Sequence, residues 1–223
     1  MTAEEFLVWL ARVPPGDRDR ALEERLGLEA DPASASPPGD ELIGYHAAGV
    51  APILRALLEV PVGPEDVFVD LGAGLGKVVF LTALLTGASV RGVEIQADLV
   101  ARARAGAQRL GMDVRFELGD AREASLDDAT VFFLYLPFTG GTLAAVLDRI
   151  RSVAERRQVV LCALGIDLDR IDWLARRPID EFWLTVYDSV FPEAAPRRGS
   201  TSPLVSVQAG LAAQIALGRA SVA

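Results

Sequence analysis

Apolar positions along the chain follow two different rhythms, and the change falls near residue 66. Before it, the spacing is helical. Residues 2–13 and 17–28 read as two short amphipathic helices separated by Pro14-Pro15-Gly16, with Asp17 placed to cap the second. The Pro/Ser-rich stretch Asp31–Gly39 reads as a linker. A longer helix is expected over about 40–59, where Leu42, Ile43, Val50, Ile53, Leu54, Leu57 and Leu58 recur at helical spacing and Pro52 marks a kink or restart. After residue 66, short apolar runs at 66–71, 89–95, 113–118, 130–136 and 158–164 alternate with helical stretches at about 75–87, 96–110, 139–155 and 167–176. Such alternation predicts parallel strands buried on both faces and covered by helices. Two further strands, about 181–190 and 204–209, have no helix between them and are expected to pair antiparallel. The expected class is α/β, a mostly parallel seven-stranded sheet with a C-terminal antiparallel hairpin plus N-terminal helices. The chain divides into a helical arm and linker (1–38), a main domain (39–210) and a tail (211–223).

Composition narrows the chemistry by what is scarce. The 223 residues include one Cys (Cys162), one His (His46), one Lys (Lys77) and no Asn, so all but one of the 22 Lys and Arg residues are Arg. No intrachain disulfide and no Cys/His zinc site can be built, and no metal site is expected. A Cys-His-Asn triad lacks a member, and a serine triad would have to use His46 without any G-x-S-x-G turn. The net charge is −9, and residues 1–40 hold nine acids against four Arg. Nucleic-acid binding is disfavoured by that balance, because its affinity comes largely from cations on phosphates. An acidic rim would instead attract a basic or amine-bearing partner. Thr2-Ala3-Glu4-Glu5 does not open a secretory signal, and Pro203–Gly218 is too short and polar for a membrane span, so a cytoplasmic protein off the membrane is expected.

The segment Val69-Asp70-Leu71-Gly72-Ala73-Gly74-Leu75-Gly76-Lys77 ends one predicted strand and opens a helix, where an open α/β sheet binds its ligands. Glycines there let a ligand approach the backbone and expose N–H groups at a helix start. A dinucleotide fingerprint from Gly72 would need glycine at position 77, which is Lys, and a P-loop would need glycine at Leu71. The pattern present is D-x-G-x-G-x-G. Two further acids close the following strands: Glu94 in Gly92-Val93-Glu94-Ile95, and Asp120 in Leu118-Gly119-Asp120-Ala121.

Residues 66–136 therefore resemble the cofactor-binding half of the class I, seven-strand S-adenosylmethionine-dependent methyltransferases, with their Rossmann-like fold. The resemblance implies that Glu94 accepts the ribose hydroxyls, with Ile95 beside it. It implies that Asp120 accepts from the adenine amine and that the Ala121 N–H meets a ring nitrogen. Gly72, Ala73, Gly74 and Gly76 would form the loop under the cofactor, and Asp70 would organise that loop through hydrogen bonds to its amides or meet the methionine ammonium. Lys77 reads as a solvent-facing helix residue or as a loop or substrate contact.

The acceptor side follows the fourth strand, at Phe133-Leu134-Tyr135-Leu136-Pro137-Phe138. Members acting on base amines or side-chain amides commonly carry N/D-P-P-Y/F here; Tyr135 replaces the leading acid or amide, and only the Pro-Phe half is kept. The segment is similar instead to small non-SET protein lysine methyltransferases. That similarity implies in-line SN2 transfer to an amine such as a protein lysine, with a small-molecule O- or N-acceptor as the alternative. Tyr45, Tyr135 and Phe138 are candidate walls around the cofactor and the amine; Pro137 and His46 are further substrate-side candidates. No catalytic base is assigned. A nicotinamide-dependent oxidoreductase and a non-catalytic cofactor-binding module complete the alternatives, and the oligomeric state is left open.

Overall fold

The structure is a computed structural model that describes residues 2–28, 39–179, 181–197 and 207–217. Helix α1 (Ala3–Arg12) begins with a reciprocal cap: Thr2 Oγ1 accepts from the Glu5 N–H, and the Glu5 carboxylate accepts from the Thr2 N–H. One 3-10 turn over Pro15–Asp17 leads into α2 (Arg18–Leu26). Asp17 is at the N-cap, as expected, but its carboxylate pairs with Arg20 instead of the helix amides. Helix α3 (Val50–Glu59) is followed by β1 (Val67–Leu71), α4 (Lys77–Thr86), β2 (Ser89–Glu94), α5 (Ala97–Leu110), β3 (Arg115–Leu118), β4 (Val131–Tyr135), α6 (Gly140–Ala154) and β5 (Val160–Leu164). Strands β6 (Leu174–Arg176) and β7 (Leu184–Ser189) and helix α7 (Val207–Ala216) complete the order.

The seven strands lie in the order β3-β2-β1-β4-β5-β7-β6, with β7 antiparallel to both β5 and β6. Alternate side chains enter two cores. Phe68, Val131, Phe133, Cys162 and Val186 face α3, α4 and α5, whereas Val69, Leu71, Phe132, Leu134, Leu161 and Tyr187 face α6. Register aligns the carboxyl ends of the strands: Leu71 sits beside Val93 and Leu134, Glu94 beside Leu118, and Tyr135 beside Leu164. All chemistry described below gathers at this edge.

Three expected elements are corrected. The helix expected over 40–59 is helical only from Val50; Leu42 and Ile43 are spent instead on an extended strap that pairs with residues 137 and 138. Gly49 caps the shortened helix, and Pro52 falls in its first turn, where a missing N–H costs nothing. The helix expected over 167–176 is a turn leading into β6. The turn is stabilised by Asp169 N–H on Asp167 and by the Tyr187 hydroxyl, which accepts from Leu168 N–H and donates to Asp169. The antiparallel hairpin is consequently β6–β7, not 181–190 with 204–209. Residues 207–209 begin α7, because Leu211, Ala212, Ile215 and Ala216 at helical spacing pack on the α1 and α3 side; residues 204–206 lie outside the described residues, as does the linker from 31 to 38.

A boundary after residue 210 would cut α7, and the N-terminal helices share the main core: Phe6, Leu7, Leu10, Leu22 and Leu26 are buried in it. Buried Arg18 ties α2 to α7 by donating to the Ile215 carbonyl at 3.0 Å. Lys77 is neither solvent-facing nor lining the main cleft. It is buried at the start of α4 and bonds to Asp19 at 3.2 Å and to Glu23, both on α2. Asp19 also accepts from the Val50 N–H at 2.8 Å, so one carboxylate caps α3 and neutralises Lys77.

Candidate active site at the carboxyl edge of the sheet

The turn after β1 takes left-handed backbone at Gly72, Gly74 and Gly76 (φ 87°, 53° and 86°), which side chains rarely adopt. Amides of Gly72 and Ala73 both donate to the Val93 carbonyl, at 2.9 and 3.0 Å, and bind the turn to β2. Gly74 N–H donates to Glu94 Oε2 and Gln96 N–H to Glu94 Oε1, each at 2.9 Å. Glu94 is therefore buried and fixed by one backbone amide on each oxygen. Each oxygen keeps a further lone pair for the cleft it lines.

Organising the loop was the expected role of Asp70; the structure gives it to Glu94. No donor reaches the Asp70 carboxylate among the described residues. Burial, and secondarily the charge of Glu94, push Asp70 up to about 8. A buried carboxylate without a donor is a site that favours a cation. Asp120 lies in the opposite condition. It accepts from the Arg122 N–H at 2.8 Å and from the guanidinium at 2.6 and 3.0 Å, and these bonds hold it below the usual carboxylate range.

A cleft of about 780 Å³, counting its open mouth, lies over these strand ends. It brings together Tyr45, His46, Gly72, Glu94, Ile95, Asp120, Ala121, Tyr135, Pro137 and Phe138. Asp70 and Ala73 line a smaller adjoining recess, which also has Tyr45, His46, Gly72 and Tyr135 in its walls. Gly74 and Gly76 line neither. A Cβ on Gly74 would stand 2.3 Å from the Tyr45 ring and one on Gly76 2.4 Å from Phe116, so these glycines admit protein side chains.

Residues unforeseen in the sequence come chiefly from the strap: Leu42, Ile43 and Gly44 line the cleft, with Gln96, Gly119 and Thr142. Glu41 holds the strap in place from outside. Its carboxylate accepts from Gly141 N–H, Thr142 N–H and Thr142 Oγ1 at 2.7–2.9 Å, capping α6, while Ile43 N–H donates to the Pro137 carbonyl. An acid followed by Leu-Ile before a glycine gave no local sign of this long-range cap. Burial raises the Tyr45 hydroxyl above its ordinary value, so the ring enters the site as a neutral phenol.

Beyond Tyr135 the site changes character. Leu136 has φ 42°, the only positive value at a non-glycine among the described residues, and its side chain rests on Gly165 at the end of β5. Left-handed backbone at a leucine costs on the order of 1–2 kcal/mol. No set of His, Cys, Asp and Glu among the described residues is arranged to hold a metal ion, and none of the described helices is long and apolar enough to cross a membrane.

An open, mostly parallel sheet that presents a glycine turn, a buried carboxylate fixed by two backbone amides and an apolar cleft at one edge defines an α/β enzyme for a nucleoside-bearing cofactor. A methyltransferase domain family model matches residues 68–158. The chain is 30% identical to an RNA methyltransferase from Salinibacter ruber, solved in complex with S-adenosyl-L-homocysteine, with a TM-score of 0.54 over 69% of this chain and 98% of that one. A protein described for conversion of a disulfide bond into a thioacetal group during echinomycin biosynthesis shares the fold, at 17% identity and TM-score 0.51, over 63% of this chain and 82% of that one. No curated protein sequence matches significantly. The chain belongs to the class I S-adenosylmethionine-dependent methyltransferases, and S-adenosylmethionine is its cofactor.

Proposed function

We propose that the cleft takes S-adenosylmethionine along the β1–β3 edge and passes its methyl group to an amine, with a protein lysine as the acceptor. The observation that supports this reading best is the division of the edge: carboxylates at the ends of β1, β2 and the turn after β3, then Tyr135, Leu136, Pro137, Phe138 and Thr142, none of them charged, after β4. The cofactor supplies an electrophilic methyl on a positively charged sulfur. Glu94, already fixed by two amides, would accept the ribose hydroxyls. Asp70, buried without a donor, would face the amino-acid ammonium. Asp120 would receive the adenine amine, sharing its oxygens with Arg122, and the Ala121 N–H would meet the ring. Gly72, Ala73 and Ile95 would pack along the ligand, with Tyr45 and Tyr135 as side walls and Gly74 and Gly76 shaping the turn beneath.

Among the described residues that line this cleft after β4, no side chain is an amide or carboxylate that could orient a planar NH2 group. The cleft there offers aromatic and apolar walls, which favour a neutral amine over an ammonium. Deprotonating a lysine at neutral pH costs on the order of 4–5 kcal/mol, and desolvation offsets part of it. Pro137 and Phe138 would flank that amine, and His46, exposed at the mouth of the cleft, is placed to meet the acceptor but is given no proton-transfer role. The relative described as an RNA methyltransferase makes RNA the competing acceptor. Radiolabelled donor incubated with cell lysate separates them: label in protein bands resistant to ribonuclease is expected, and label lost with ribonuclease would transfer the assignment to RNA. Calorimetry with S-adenosylhomocysteine tests the cofactor assignment, and variants of Glu94 and Asp70 should weaken binding more than variants of His46.

A further inference from the structure

Lys77, the chain's one lysine, is buried in the first turn of α4 and lines the same recess as Asp70. The two opposite charges are nevertheless not paired. The Lys77 ammonium is turned toward α2, where it donates to Asp19 at 3.2 Å and to Glu23, while Asp70 receives no donor among the described residues. A buried ammonium needs both paired charge and hydrogen bonds, and α2 supplies them. The two acids differ in their other commitments. Asp19 is half exposed and also accepts from the Val50 N–H, so it stays anchored to α3 with or without the lysine. Glu23 is the less exposed of the two, and its charge also acts on the Tyr45 hydroxyl, so this carboxylate stands near a wall of the cofactor site.

We propose that Glu23 is a positioning residue for the cofactor site: with Asp19 it draws the Lys77 ammonium onto α2 and keeps Asp70 open for the ammonium of the ligand. This rests on the reading of Asp70 given above. A lysine carries its charge on a flexible four-carbon stem, so the ammonium can be redirected about its side-chain torsions while α4 stays in place. Released from Glu23, it shares the recess with a buried carboxylate that lacks a donor, and a pair formed there satisfies both charges. Such a pair would fill, from within the protein, the place of the ligand's ammonium. The other titratable groups around Asp70 are Glu94, committed to two amides, the phenols Tyr45 and Tyr135, and exposed His46. Lys77 is therefore the buried base beside Asp70, and α2 decides which carboxylate it serves.

The test measures S-adenosylhomocysteine binding to the full chain by calorimetry at about pH 7, in buffers of different ionisation enthalpy. The proteins are the wild type, Glu23→Gln and the double variant Glu23→Gln/Lys77→Met. Glu23→Gln should weaken binding about tenfold, the fraction of sites left open by the competing pair setting the loss. It should also abolish proton release, because Asp70 is already ionised against Lys77 before the ligand arrives. Removing the lysine from that variant should restore the wild-type proton release and bring the affinity back to within about threefold. S-adenosylhomocysteine has no net charge, so a change in protein charge alone would move neither readout. If Glu23 only fastened α2 to the domain, the double variant would bind as weakly as Glu23→Gln or more weakly. Thermal unfolding without ligand gives a second readout: the fall in Tm between about pH 5 and 8 should flatten in Glu23→Gln and return in the double variant. Wild-type affinity and proton release in Glu23→Gln, or no recovery on adding Lys77→Met, would overturn the proposal. Absence of proton release from the wild type would instead overturn the reading of Asp70 on which it rests.

Discussion

The carboxyl edge of the sheet has two halves built on opposite principles. From β1 to β3, backbone amides and carboxylates interlock: Glu94 holds Gly74 and Gln96, and Val93 holds Gly72 and Ala73. From β4 to β7, the surface is apolar and aromatic, the backbone is strained at Leu136, and the Phe182–Trp183 pair faces water. The first half is fixed before any ligand arrives, as a site for an invariant cofactor requires. The second half offers shape and desolvation with few polar groups, which suits an acceptor whose reactive form must be uncharged.

The sharpest way to break this contrast is to remove the polar anchor of the first half. Glu94→Ala leaves two backbone amides without their acceptor and removes the carboxylate proposed for the ribose. A loss of about 100-fold in affinity for S-adenosylhomocysteine, ~2.7 kcal/mol, is expected by calorimetry. Glu94→Gln should recover part of it through its remaining carbonyl oxygen.

Asp70 comes next and gives the contrast a pH signature. Its carboxyl is pushed up to about 8, so the folded protein keeps a proton there that the unfolded chain has released. The stability it confers is complete below its ordinary value near 3.8 and is lost as pH rises through about 8. Without ligand, the wild-type Tm should fall between pH 5 and 8 by several degrees more than that of Asp70→Asn. Binding a ligand ammonium should return Asp70 to its charged form, so S-adenosylhomocysteine binding at pH 7 should release up to about one proton, read by calorimetry in buffers of different ionisation enthalpy. Asp70→Asn should abolish that release. Equal proton release in the variant would mean that Asp70 does not face the ammonium.

The difference between the halves also explains what the amino-acid sequence discloses. The first half is contiguous: Asp70 to Gly76, Glu94 and Asp120 each sit where a predicted strand ends, so period and motif locate them together. Their partnerships are less legible, since the Gly74 amide goes to Glu94, 20 residues further along the chain, and the motif itself does not show this. The second half draws on residues 42–45, 49–55, 135–138 and 181–184, whose local patterns said other things. Leu42 and Ile43 continued the helical spacing of α3 although they belong to a strap, and the acids of 167–169 stabilise a turn where a helix was expected. Lys77 resisted reading because its partners, Asp19 and Glu23, come from a helix more than 50 residues away.

A smaller effect tests whether the strap belongs functionally with the cofactor half. Glu41 is held below its ordinary range first by Gly141 N–H and then by Thr142, so this contact is intact above that range and is lost as pH falls through the lowered value. Glu41→Ala should release the strap and speed S-adenosylhomocysteine dissociation several-fold in stopped-flow, with Glu41→Gln in between. An unchanged dissociation rate would detach the strap from cofactor retention.

Leu136 should give the smallest change in stability and the most selective change in activity. Its left-handed backbone carries a cost that glycine would not have, while its side chain packs on Gly165 and separates the cofactor cleft from a second cleft walled by Leu164 and Leu184. Leu136→Ala keeps the strain and removes the wall; Leu136→Gly removes both. The glycine variant should therefore be the more stable of the two by about 1 kcal/mol in urea unfolding, although glycine elsewhere is normally the costlier residue. Both variants should bind S-adenosylhomocysteine as the wild type does, because none of its proposed anchors is touched. Methyl transfer should fall in both by about tenfold, since a widened wall no longer holds the acceptor nitrogen in line with the methyl group. Should Leu136→Ala prove the more stable, the strain at the end of β4 would be fictitious; should cofactor affinity fall with activity, the two halves would not be separable at Leu136.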